Sequence, residues 1–189
     1  MGMTVQRRKD NSVPRVITHK IADIRGGVSV KTTELGNNFL LEGAVLSAPD
    51  KGICHIVKYA VVSAEVDESG KEIKVKKGHN FKIGDFVMKD VGGKAYAITA
   101  IDSTDKAFDT VTIGTAVGAI KAGEFIIEAA AQSTNNTSAL KYTPLAIVGT
   151  GKPIEKGQNL DTDAWLFAVT KGNPLPDCIS KHLKGIINY

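Results

Sequence analysis

The sequence predicts a mostly β protein, a small β-barrel or sandwich of short antiparallel strands joined by hairpins, with a short C-terminal helix. Nineteen glycines accompany an aromatic fraction of only 6%, a composition of many turns rather than of a helix bundle. From Gly26 onward, short apolar segments recur between turn residues at roughly ten-residue spacing, as in barrels and sandwiches. No helical period is sustained before the last residues.

Residues 1–25 are polar and basic, and Pro14 breaks any helix that might start there. They read as an N-terminal arm, either extended onto a neighbour or a frayed terminus. Residues 26–175 form the β domain. "VSVKTTEL" alternates, "FLLEGAVLSA" is a strand broken at Gly43, and "ICHIVKYAVVSAEV" alternates before closing as an apolar run. Ser69-Gly70 separates that run from "KEIKVKKG" in a hairpin pattern. "DFVMKDV", the pair Gly92-Gly93 and "KAYAITAID" form a second hairpin. "DTVTIG", "GAIKAGE" and "FIIEAAA" follow as short strands, and "STNNTS" is a polar connector. "TPLAIVGTG", "KPIEKGQNL" and "DAWLFAVTKG" supply three more strands or turns. Residues 176–189 form a short helix and tail, started by Pro176-Asp177 and ended at Gly185.

The 189 residues, 42% hydrophobic and 23% charged, suffice for one domain with its own core. The net charge of +4 is spread along the chain and favours solubility over a nucleic-acid stripe. No signal-peptide pattern or bilayer-length apolar run is visible, so synthesis in a cytosol and no membrane partner are expected. Cys54 and Cys178 belong to no ligand spacing and read as small buried thiols.

Chemistry-bearing motifs are scarce. Four histidines, His19, His55, His79 and His182, are scattered and read as surface or turn residues. "GTGKP" at Gly149 is a turn rather than a phosphate loop, because no helix follows it. Asp102, Asp105 and Asp109 crowd one stretch but lack the alternation and glycine of a calcium loop, so they read as turn formers. No catalytic, cofactor-binding or metal-ligating residue is therefore assigned. Two rival readings stay open: an enzyme with a carboxylate site around Asp102 and Asp109, and a binding module. The module would use the lysines between Lys71 and Lys82 for single-stranded nucleic acid, or Trp165 for surface glycans. Those lysines equally suit a solvated hairpin with Ile73 and Val75 facing inward, which argues against a nucleic-acid partner.

The stretch "FKIGDFVMKDVGGKAYAITAID" (Phe81 to Asp102) reads as a corner followed by a hairpin that closes a barrel. Gly84 and Asp85 make the corner, and Gly92 and Gly93 provide the positive φ of a primed turn. Together with "FDTVTIGTAVGAIKAGEFIIEAA", it is similar to tailed-bacteriophage head-fibre and capsid-decoration proteins. "LLEGAVLSAP" and the tail "AWLFAVTKGNPLPDCISKHLKGIINY" extend the similarity over Gly36 to Tyr189. The resemblance implies a non-enzymatic virion protein, a homotrimer seated on the major capsid protein, without family catalytic residues. Trp165 and Phe167 are then candidate interface or core anchors, with core favoured for at least one.

Overall fold

The computed structural model describes residues 15–155 and 157–189. The first seven strands are β1 (Ile17–Asp23), β2 (Val28–Val30), β3 (Phe39–Leu40), β4 (Val45–Ser47), β5 (Ile53–Cys54), β6 (Tyr59–Val61) and β7 (Glu72–Lys76). Five more follow: β8 (Phe86–Met88), β9 (Ala95–Asp102), β10 (Phe108–Ile113), β11 (Phe125–Ala129) and β12 (Pro144–Val148). The chain ends with β13 (Lys152–Pro153), β14 (Leu160–Thr162), β15 (Ala164–Thr170), the helical turn α1 (Asp177–Ser180) and β16 (Ile186–Asn188). The protein is mostly β.

The middle of the chain builds a six-stranded sheet in the order β6-β11-β8-β9-β10-β7. Its strands form because their side chains alternate. In β7 Ile73 and Val75 point inward while Glu72, Lys74 and Lys76 face solvent. β10 likewise buries Asp109, Val111 and Ile113 at every second position. Inside lie Val62, Phe81, Val87, Ile98, Ile120 and Ile126 with the residues just named from β7 and the apolar pair from β10. The end strands approach each other at one bridge, Val62 with Val75. That contact does not close a barrel, so the corner and hairpin at Phe81–Asp102 are part of a sandwich-like arrangement instead.

The two ends of the chain build the other sheets together. One has the order β1-β15-β12-β4, with β16 also beside β15. Smaller sheets combine β14, β2 and β5, and β13 with β3. Leu40, Leu46, Ile56, Ala146 and Val148 form one apolar cluster under them. Val45, Val57, Ile147, Ala168, Ile179 and Leu183 form another.

Two boundaries read from the sequence need correction. Residues 1–14 of the arm lie outside the described residues, but from Ile17 the chain is an edge strand paired with β15. Glu42 fixes its entry, Oε1 accepting the N–H groups of Val16 at 3.0 Å and Ile17 at 2.7 Å. An edge strand interrupted by bulges buries few side chains, so "ITHKIAD" carries no clean alternation. In the C-terminal segment the expected short helix is present, but the tail after it is a strand. Its helix is one turn long, and β16 then runs parallel to β15, Val169 opposite Ile187. Leu183 turns into the core there instead of continuing the helix.

Candidate functional site

Two lone charges interrupt apolar runs, Lys58 in "HIVKYAVV" and Glu128 in "FIIEAAA". The strands bring them together. β11 lies between β6 and β8, with Ile127 opposite Tyr59 and Glu128 opposite Val87. The Glu128 N–H donates to the Lys58 carbonyl at 2.9 Å. Lys58 is 1% exposed and Glu128 2%, burial that isolated charges do not tolerate. Lys58 Nζ donates to Asp85 Oδ2 at 2.6 Å and sits 3.2 Å from Glu128 Oε1. Lys141 Nζ reaches the same Oε1 at 2.8 Å from the other side. Glu128 Oε2 is buried with no hydrogen-bond partner. Burial pushes the Glu128 carboxyl above its ordinary range, against the pull of Lys58 and Lys141.

Asp85 is also the corner residue expected from the sequence. Its N–H donates to the Lys82 carbonyl at 3.0 Å, while Oδ2 accepts the Lys82 N–H at 2.8 Å. One carboxylate thus caps a turn and receives a buried ammonium.

A second cluster centres on Glu34. Its Oε2 accepts from Tyr142 Oη at 2.9 Å and contacts His55 Nδ1 at 2.9 Å, and Lys31 Nζ lies 3.1 Å from Oε1. The His55 ring stacks on Tyr142 with centroids 4.2 Å apart. Burial alone would raise the Glu34 carboxyl, but the bonds from His55, Lys31 and Tyr142 outweigh it and hold it at about 2. A third cluster joins Lys77, His79 and Asp109. Lys77 Nζ donates to Asp109 Oδ1 at 2.6 Å, and His79 Nε2 is 3.1 Å from Oδ2 without a well-directed hydrogen bond. His79 Nδ1 accepts the Phe81 N–H at 3.2 Å, which puts the ring proton on Nε2. Desolvation lowers the His79 pKa despite Asp109.

His55 and His79 are therefore buried partners of carboxylates, not the surface or turn histidines expected. Their partners are remote in sequence, and only folding shows the pairing. Asp102 and Asp105 do cap turns, accepting the N–H groups of Thr104 at 3.0 Å and Ala107 at 2.7 Å. Asp109 is a strand residue instead. Among the described residues no three His, Cys, Asp or Glu side chains converge as a metal-binding group. Cys54 is buried and Cys178 half-buried, both as free thiols.

The glycine corner holds with one change. Gly84 and Gly92 have φ of +94° and +85°. Gly93 does not, and its role is close packing: a Cβ there would stand 2.9 Å from the Asp90 carbonyl oxygen. The connection from Met88 to Ala95 is longer than a two-residue primed turn. Trp165 packs against the core and donates from Nε1 to Asp163 Oδ2 at 3.0 Å. Phe167 is 52% exposed and serves as a surface residue.

A cleft of about 220 Å³ is lined by residues that include Tyr59, Lys76, His79, Asn80 and Asn173. Asn80 Oδ1 is buried without a partner. Comparison with protein-family models, curated proteins and solved structures finds no match for this chain.

Proposed function

We propose that this chain is a non-enzymatic structural protein of a phage or prophage virion, decorating the head as a homotrimer on the major capsid protein. The observation that carries this reading is a group of exposed apolar residues on the neighbouring strands β1, β15 and β16. Phe167 on β15, Ile187 on β16 and Ile21 on β1 are 52%, 61% and 59% exposed, with Tyr189 beyond at 65%. Large apolar side chains concentrated on adjoining strands favour a protein interface over open solvent. β1 also ends its sheet, leaving backbone groups available for pairing.

The resemblance of Gly36 to Tyr189 to capsid-decoration proteins adds the partner and the local three-fold site. Closed cyclic assembly offers three copies of each weak capsid contact, so modest contacts sum to firm attachment. The buried ion clusters fit the same role, because they tie strands to one another. The test is co-sedimentation of the purified full-length protein with heads that lack it. Saturable pelleting with the heads is expected. Protein left in the supernatant at saturating concentration contradicts the reading.

A further inference from the structure

Lys58, Asp85 and Glu128 have a chemical possibility beyond charge pairing. We infer that Lys58 Nζ and Asp85 Cγ join spontaneously in an intramolecular isopeptide bond, with Glu128 as the proton relay. This does not depend on the capsid reading.

Placement is the first argument. The three residues lie at or beside three consecutive strands of one sheet, β6, β11 and β8. Nζ is 2.6 Å from Asp85 Oδ2, hence at most one C–O bond length further from Cγ. Reacting atoms held about 3–3.5 Å apart in fixed orientation gain the large effective molarity of an intramolecular reaction. Water is the second argument. Lys58 has no exposed side-chain surface, Glu128 1% and Asp85 11%, so little water reaches these groups to compete with the amine or reverse the condensation. A buried ammonium–carboxylate pair is also costly to desolvate, whereas the amide product carries no charge. Glu128 is the third argument. Its Oε1 is 3.2 Å from Nζ, its Oε2 is buried and unpartnered, and burial increases its hold on a proton.

The steps balance without an outside reagent. One proton of the Lys58 ammonium passes through Glu128 to Asp85, leaving a neutral amine beside a neutral acid. The nitrogen lone pair attacks Cγ, the N–C bond forms and the C=O π electrons move onto oxygen. Asp85 Oδ2, which accepts the Lys82 N–H, is placed to hold that negative charge. The Glu128 carboxylate then takes a proton from the nitrogen and delivers it to the departing hydroxyl. The Cγ–O bond breaks, the carbonyl reforms, one water leaves and Glu128 is a carboxylate again. The product staples the start of β6 to the start of β8 across β11, a closure spanning 27 residues.

Intact-mass spectrometry of the purified full-length protein, followed by peptide mapping, tests this. A mass about 18 Da below that of the linear sequence is expected, one water per bond. The loss should map to a branched peptide containing Lys58 and Asp85. Lys58→Ala and Glu128→Gln, each checked for folding by circular dichroism, should recover the full mass. An undiminished mass in the parent protein overturns the inference whether or not the variants fold. So does a water loss mapped to another site, such as a succinimide. Folded Glu128→Gln that still loses water removes Glu128 from the mechanism.

Discussion

Glu34 ties together three parts of the chain that sequence distance keeps apart. It lies between β2 and β3, while His55 follows β5 and Tyr142 precedes β12. Its carboxyl is held at about 2 in the fold, against 4.5 ordinarily. Depression below the unfolded value means its contribution is fully present above about pH 4.5 and is lost as pH falls toward 2. Glu128 has the opposite sign: its raised pKa favours the fold in acid and loses that effect as pH rises through the raised value. Glu34→Gln should therefore melt several degrees below the parent near neutrality, and the gap should shrink in acid. Thermal melts at about pH 7, 5 and 3 measure this. A gap that stays constant across that range would show that the Glu34 charge is not what links these segments.

At the scale of the element, the β8–β9 hairpin shows what the sequence made legible. Its strands pair Phe86 with Ala97 and Met88 with Ala95, and both the Gly84 corner and the turn at Gly92 lie where residue chemistry put them. Gly84→Val should cost about 1–2 kcal/mol, because a β-branched side chain is strained at φ +94° even with open space around it. Gly93→Val should also destabilise, through the Asp90 carbonyl oxygen 2.9 Å from the new Cβ. Chemical denaturation measures both, and parent-like midpoints would contradict this account of the hairpin. Strands β1 and β16 were less legible. Each is held by backbone bonds to β15 more than by side-chain burial, and such pairing leaves little periodic trace. Lys58 and Glu128 did leave a sign, a single charge inside an apolar run. Their partner Asp85 already had a complete explanation as a turn residue, so nothing in one dimension directed Lys58 toward it.

For the whole molecule, the sheet architecture follows from alternation in the middle of the chain and from pairing between its two ends. The six-stranded sheet keeps its lysines outward along β7 and exposes Ile83 and Val91 in the connections on either side of β8, whereas the five-stranded sheet presents Phe167 and Ile187 to solvent on its strands. That asymmetry gives the proposed assembly a direction, with the apolar face toward sister subunits. The central claim is that this face holds the protein in a closed trimer. Light scattering on the full-length protein and on a Phe167→Glu/Ile187→Glu variant tests it most directly. Three 20.1 kDa chains give about 60 kDa for the parent, and the folded variant should fall to the mass of one chain. A monomeric parent, or a variant that keeps the parent's assembled mass, would contradict the account.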